Sequence, residues 1–444
     1  MGLLRLFTCG SVDDGKSTLI GRLLHDTRSV HQDQLEAVQR ASAARKSAQV
    51  DLSLLTDGLR AEREQGITID VAYRYFATAN RRFILADTPG HVQYTRNMAT
   101  GASTADTAII LVDARQGVVE QTRRHACITA LLGIGNLIVC VNKMDLVEYA
   151  QSRLDQVRQA FEVFAHAARP DGVATIAERS DIEFVPISAL LGDNVVGRSG
   201  RMPWYKGPAL LELLEALPDA HDRGHEPARF PVQYVLRPNS EQFHDYRGYA
   251  GRVCSGAFRA GEEVLVLPGE GEAGSGGSGG SGAGQRSRIV RLHVGQSDIA
   301  ACRAPQSVAM VLEHDLDVSR GDLIVSAAAD APIVGSSVTA NVVWMGQQPL
   351  SAGRRLLIKH ATRTIPATAQ AIDHRVNISE PSIDRTAAQL GLNEIGRVRF
   401  RLSSPIAYDP YARCRGNGSF IVIDQQSNGT IGAGLLLQPE EPSA

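Results

Sequence analysis

Hydrophobic positions along the chain follow two rhythms. Up to about Leu217, short apolar runs alternate with amphipathic stretches. Leu3–Cys9, Arg82–Ala86, Thr107–Val112, Asn136–Val141 and Glu183–Pro186 predict strands. Lys16–His25, Asn97–Ala102, Thr122–Leu132, Ser152–Ala167 and Pro208–Leu217 predict helices. Near-continuous β-branched runs separated by helical periods predict a mostly parallel sheet with helices on both faces, because such strands are buried on both sides. After the polar, Pro-bounded stretch 218–227 the rhythm changes to strands alone. The first block holds Pro231–Arg237, Gly251–Ser255, Glu263–Pro268, Arg288–Val294, Ser307–Leu312 and Leu323–Val325. Beyond a linker-like patch near Ala328–Pro332 the second holds Val334–Trp344, Arg354–His360, Ala367–Ile378, Ile395–Leu402, Phe420–Asp424 and Thr430–Leu437. Two consecutive all-β blocks of about a hundred residues each predict two small β-barrels. The expected division is an α/β domain over 1–220 and barrels over 228–327 and 331–440.

Composition narrows the class of partner. Forty-six Lys and Arg against 48 Asp and Glu leave a net charge of −2, so no global positive field recruits nucleic acid or an anionic membrane. Arg354 with Arg355, and Arg397, Arg399 and Arg401, are the candidate basic clusters. The latter three alternate, which predicts one solvated strand face. Six scattered cysteines without a Cys-x-x-Cys pair read as reduced cytosolic thiols, several of them in core strands. With no signal peptide and no membrane-length apolar run, the cytoplasm is expected and a membrane is not. The Gly/Ser tract 269–285 interrupts the first barrel. It lacks the Asp-Ser that would follow a pyrophosphatase loop and crosses a hairpin, so a flexible loop expansion without function is expected.

Five short motifs in the first domain carry the chemistry. Gly10, Ser11, Val12, Asp13, Asp14, Gly15, Lys16 and Ser17, continued by Thr18, fit G-x-x-x-x-G-K-[ST] between a predicted strand and helix. That context makes the domain an α/β P-loop GTPase candidate. Backbone amides can wrap phosphates there, and the helix N-terminus adds partial positive charge. Lys16 is expected to bridge the β- and γ-phosphates and Ser17 to ligate Mg²⁺. Thr68, within Gly66–Ile69, follows a long polar segment, as a switch residue does that reaches Mg²⁺ only when the γ-phosphate is present. Asp87, Thr88, Pro89, Gly90 and His91 end a strand. Asp87 is placed for the outer Mg²⁺ shell, the Gly90 amide for the γ-phosphate and His91 for the attacking water.

Asn142, Lys143, Met144 and Asp145 follow a buried run and supply base selection. A carboxylate at Asp145 accepts from guanine N1–H and the 2-amino group, whereas adenine leaves it unsatisfied. Discrimination through unsatisfied polar groups reaches roughly 10⁴-fold. Ser188, Ala189 and Leu190 complete the pocket through the Ala189 amide. GTP with Mg²⁺ is the expected ligand.

These motifs, followed by two barrels, resemble the translation elongation factor GTPase superfamily. Within it, Thr8–His25, Ile69–Phe76, Gln93–Met98 and Ile421–Gly434 are similar to the GTPase subunits of bacterial sulfate adenylyltransferases. The resemblance implies a heterodimer with a small, ATP-adenylating catalytic subunit. GTP hydrolysis would then drive formation of adenosine 5′-phosphosulfate and pyrophosphate from ATP and sulfate. It also implies that Val12 and Ile67 form an apolar gate beside His91. The chain agrees by omission, having no second phosphate loop outside the GTPase region. Val92 departs from the acidic residue many relatives carry there. The start a few residues before the first strand leaves out an N-terminal extension common in relatives. The end at Ala444 implies either a separate subunit or the front of a fusion with an adenylylsulfate kinase. A translation factor carrying aminoacyl-tRNA is the alternative, because fold alone does not fix function. It calls for a basic barrel surface, which the near-neutral charge disfavours. An orphan regulatory GTPase leaves the similarity over Ile421–Gly434 unexplained.

Overall fold

The structure is a computed structural model that describes residues 2–30, 32–44, 50–55, 70–90, 95–169, 174–218, 226–237, 246–267, 284–378 and 382–439. The Gly/Ser tract up to residue 283 lies outside the described residues. Two units are distinguished: Met1–His221 with Val376–Ile383, and Asp222–Arg375 with Asp384–Ala444.

In the first unit, six strands form one sheet: β1 (Gly2–Cys9), β2 (Ala72–Ala77), β3 (Arg81–Asp87), β4 (Thr107–Asp113), β5 (Asn136–Asn142) and β6 (Asp181–Pro186), in the order β2-β3-β1-β4-β5-β6. All neighbours are parallel except β2 with β3. β4 is buried along its whole length, which is why its sequence is an unbroken apolar run. β2 was not expected from the hydrophobic pattern. Exposed Tyr73 and Tyr75 flank Arg74 there, and only Phe76 is buried, stacked on Phe83 at 4.6 Å. Leu19, Ile20 and Leu23 of the helix Lys16–Asp26 pack with Leu4, Leu6, Ile109 and Leu111, and Leu210 and Leu214 join the same core.

Strand order reverses at β1, which has β3 on one side and β4 on the other. In open α/β sheets the crevice outside the carboxyl ends at such a point is where ligands bind. Register sets Thr8 opposite Asp87, Asp113 opposite Asn142 and Val141 opposite Pro186, while Cys9 lies opposite Ile110 and β4 runs on past it to Asp113.

One buried group in this unit sets a pH response. His125, on the helix Glu120–Leu131, is fully buried with Nε2 at 2.9 Å from Gln121 Nε2. Burial, then the charges of Lys16 and Arg124, push its pKa from 6.5 down to about 3. Between those values the unfolded chain takes up a proton that the folded chain refuses, so stability falls as pH falls through the window. His125→Gln is therefore expected to flatten the acid limb by up to ~1.4 kcal/mol per pH unit. Urea midpoints at pH 7 and pH 5 check this; equal pH dependence in both proteins would show that His125 is not the titrating group.

The second unit contains two closed rings. The first uses β7 (Arg229–Leu236), β8 (Gly248–Arg252), β9 (Ala257–Arg259), β10 (Glu263–Leu267), β11 (Gln285–Val294), β12 (Ser297–Ile299), β13 (Ala301–Arg303), β14 (Ser307–Leu312) and β15 (Leu323–Ser326). Its ring runs β10-β15-β7-β8-β14-β11 and closes from β11 to β10, around Phe230, Phe258, Val264, Leu292 and Ile324. The strand expected at Gly251–Ser255 instead occupies Gly248–Arg252. Cys254 and Ser255 leave that ladder to bond Arg229, with Cys254 N–H donating to Arg229 O at 2.9 Å and Arg229 N–H to Ser255 O at 3.0 Å.

The second ring uses β16 (Ile333–Trp344), β17 (Leu350–Ser351), β18 (Arg355–His360), β19 (Arg363–Asn377), β20 (Ser382–Asp384), β21 (Gln389–Leu390), β22 (Ile395–Tyr408), β23 (Ser419–Ile423) and β24 (Thr430–Leu436). It runs β18-β23-β24-β16-β22-β19 and closes from β19 to β18 around Trp344, Leu356, Phe400 and Phe420. Closure pairs the edges that a small open sheet would expose. Val398, Phe400 and Leu402 of β22 are buried, while Arg399 and Arg401 face outward. Arg399 donates to Asp373 at 2.9 Å, and Arg354 lies 5.1 Å over the Trp344 ring. Arg399 and Arg354 are engaged by their own barrel.

Between the barrels lies an ion pair with both members fully buried. Arg229 Nε donates to Asp409 Oδ2 at 2.8 Å and Arg229 Nη2 to Asp409 Oδ1 at 2.9 Å. Asn417 Nδ2 donates to the same carboxylate at 2.8 Å, and Arg229 Nη2 to Asp330 O at 2.6 Å. The pair is thus bidentate, with further hydrogen bonds to both charges.

Candidate nucleotide-binding site

The loop after β1 has the backbone expected of a phosphate cradle. Asp13 (φ 68°) and Gly15 (φ 93°) are left-handed, and such turns gather successive N–H groups into an anion-binding nest. A Cβ at residue 15 would lie 2.4 Å from Asn142 Nδ2, so the position requires glycine on two grounds. Lys16 is buried, its Nζ donating to Gly10 O at 3.1 Å and Ser11 O at 2.8 Å. Burial lowers its pKa, and the charges of Asp14 and Asp87 oppose that. Gly90 comes so close that a Cβ there would stand 2.4 Å from Lys16 Nζ and 2.5 Å from Gly10 O. Thr88 Oγ1 donates to Thr8 O at 2.5 Å and joins the end of β3 to the end of β1.

Asp14 points back into the loop. Its carboxylate accepts the Ser11 N–H at 2.5 Å, and its backbone O accepts from Asn142 Nδ2 at 2.7 Å. Burial pushes its pKa up to about 6, against the Ser11 hydrogen bond and the charge of Lys16. Asp87, Thr88, Pro89 and Gly90 are buried, Ser17 and Thr18 half-buried, and Val12 and Asp13 exposed. Thr68, His91, Ile67 and Val92 lie outside the described residues.

Beyond the loop, Asn142 ties three segments together. Besides its bond to Asp14, its Oδ1 accepts the Ala189 N–H at 2.9 Å. A guanine oxygen using that amide would replace Asn142 as its acceptor. Lys143 (φ 64°) donates to Asp13 O and pairs with Asp113 at 3.0 Å. Met144 is buried, with its N–H on Ile187 O at 3.2 Å, and Asp145 is half-buried in the turn Met144–Val147. Ser188 Oγ accepts the Leu191 N–H at 3.2 Å, and Leu190 is exposed.

Three further residues, not expected from sequence, hold these motifs in place. Asp113 accepts from Arg115 Nη2 at 2.6 Å and faces Lys143. Burial opposes its ionisation, but the hydrogen bonds from Arg115 and Lys143 outweigh burial and hold it well below the usual carboxylate range. Arg22 reaches from the first helix to Ala189 O at 3.2 Å and to Leu190 O. Asp113 had a signal: the apolar run of β4 ends on an aspartate, as that of β3 ends on Asp87. Arg22 had none.

The assembled site offers a left-handed loop, a buried lysine, a buried carboxylate at a strand end and a polar cluster around Asn142. The model of the elongation factor Tu GTP binding domain matches residues 2–221, and that of the eEF1A C-terminal domain-like family matches 337–437. Sulfate adenylyltransferase subunit 1 of Laribacter hongkongensis is 48% identical over 445 aligned positions, covering 100% of this chain and 86% of the relative. The chain belongs to the sulfate adenylyltransferase subunit 1 family. The Citrobacter koseri subunit 1 is 47% identical, with 100% and 88% covered. The bifunctional enzyme CysN/CysC of Mycobacterium tuberculosis is 48% identical, with 98% of this chain and 67% of that protein covered. As a member of the subunit 1 family, the protein has a GTP-binding GTPase domain followed by two barrels, and a subunit numbered 1 has a partner subunit. Among the described residues, no helix is long and apolar enough to cross a membrane.

Proposed function

We propose that this chain binds GTP with Mg²⁺ and hydrolyses it to drive formation of adenosine 5′-phosphosulfate on a small, ATP-adenylating partner subunit. Identity of 48% along the whole chain to a sulfate adenylyltransferase subunit 1 carries this reading. Adenosine 5′-phosphosulfate contains a high-energy mixed anhydride, so its formation from ATP and sulfate is unfavourable without coupling. The site's chemistry suits a supplier of that energy.

In this reading Lys16 exchanges the Gly10 and Ser11 carbonyls for β- and γ-phosphate oxygens, while the amides from Gly10 to Thr18 surround the phosphates. Oxygen donors from the Ser17 hydroxyl and the buried Asp87 carboxylate suit a hard cation, and Thr68 would join them. Bound Mg²⁺ would neutralise charge on the phosphate oxygens. Thr88, Pro89 and Gly90 bring the γ-phosphate amide to the loop, and His91 orients water. Asn142, Lys143, Met144 and Asp145, with Ser188, Ala189 and Leu190, enclose guanine.

His91→Ala should leave GTP affinity within about twofold and reduce hydrolysis by roughly 10²-fold or more. Single-turnover hydrolysis with the partner subunit and a fluorescent-nucleotide titration separate the two quantities. An undiminished rate would remove His91 from the reaction.

A further inference from the structure

Within the second unit, the fold brings together two thiols that the GTPase chemistry does not use. Cys254 follows β8 in the first barrel, and Cys414 lies between β22 and β23 in the second. Each lies against the other's segment, Cys414 beside Ser255 and Cys254 beside Gly416. Cys414 is fully buried and Cys254 part-exposed. Cys414 Sγ donates to Ser255 Oγ at 3.3 Å. A Cβ at residue 416 would lie 2.3 Å from Cys254 Sγ, so Gly416 leaves the space through which Cys254 reaches the second barrel's loop. Neither cysteine is in a disulfide.

We propose that Cys254 and Cys414 are a disulfide-forming site, with Cys254 the point at which an oxidant enters and Cys414 the resolving thiol. The thiolate is the reactive form of cysteine, and its availability sets which thiols react. Burial pushes Cys302 up to about 11 and Cys127 up to about 12. Cys414 is held below its ordinary value, first by its hydrogen bond with Cys254 and then, against burial, by Ser255 and the Asn417 backbone.

The oxidant is a low-molecular-weight disulfide. The Cys254 thiolate attacks one of its sulfurs, breaking the S–S bond and expelling one thiolate. The Cys414 thiolate then attacks Cys254 Sγ in the mixed disulfide and expels the second. Two protein thiols are oxidised to one disulfide, the oxidant is reduced to two thiols, and the two protons lost by the cysteines go to those leaving thiolates. The bond ties the barrels together beside Arg229, whose carbonyl already accepts the Cys254 N–H. It also closes a long chain loop, the case in which a cross-link restricts the unfolded state most.

The test incubates the full chain with glutathione and glutathione disulfide at stepped ratios, alkylates the remaining thiols and maps non-reduced peptides by mass spectrometry. A Cys254–Cys414 peptide should appear, vanish with dithiothreitol, and accompany a melting temperature several degrees higher. Cys254→Ser should abolish both the link and the rise, and Cys414→Ser should leave one glutathione held on Cys254. Should the folded wild-type protein keep glutathione on Cys254 unresolved, or leave both thiols unmodified throughout, the proposal is overturned; the wild-type result decides even if Cys414→Ser fails to fold.

Discussion

Asp145→Asn is expected to weaken GTP binding by roughly 10³–10⁴-fold and to bring xanthosine triphosphate up to comparable affinity. A carboxylate pairs with two guanine donors, N1–H and the 2-amino group. An asparagine keeps the acceptor for N1–H but turns its amide nitrogen toward the second, where two hydrogens meet. Xanthine carries a carbonyl at that position and restores the match. The swap is nearly isosteric, and the turn Met144–Val147 is fixed independently, by buried Met144 and its hydrogen bond to Ile187. The loss therefore reports base reading and not a collapsed loop. Competitive titration of a fluorescent guanine nucleotide with both triphosphates gives the answer. Unchanged GTP affinity would mean that Asp145 does not read the base.

The second large effect lies in the other unit. Removing one member of the Arg229–Asp409 pair strands the other charge in a fully buried site, which costs about 3–5 kcal/mol. Asp409→Ala also leaves Asn417 Nδ2 without its carboxylate partner. Either single variant should show a much lower urea midpoint. The double variant Arg229→Met with Asp409→Leu should recover most of the loss, since a well-packed apolar pair often equals a buried ion pair. Single variants with the wild-type midpoint would show that the pair contributes nothing to holding the barrels.

How much of this was legible in the chain follows from how local each feature is. The β4 and β5 strands are read from unbroken apolar runs because both their faces are covered. The β2 strand escaped because it is a sheet edge whose Tyr73, Arg74 and Tyr75 look like a polar loop. The helix Gln32–Ala44 escaped for a similar reason, since Val38 is its one buried apolar side chain among the described residues. The proposed nucleotide motifs are contiguous words, so their residues are proposed from the sequence alone. Their supports could not be read that way. Asp113 with Lys143, Arg22 with Ala189, Arg229 with Asp409 and Cys254 with Cys414 join positions that only the folded chain brings side by side. The six cysteines, widely spaced in sequence, look unrelated for the same reason.

Coupling is tested most directly by counting product against nucleotide. The full chain, co-expressed with a candidate small ATP-adenylating subunit, is given ATP and sulfate without pyrophosphatase. Adenosine 5′-phosphosulfate and GDP are then measured together. GTP should raise the adenosine 5′-phosphosulfate level far above that reached without it, in proportion to GDP formed, and neither a non-hydrolysable GTP analogue nor His91→Ala should reproduce the rise. A yield indifferent to GTP and to its hydrolysis would contradict the coupling role, whatever the affinity of the site for guanine nucleotides.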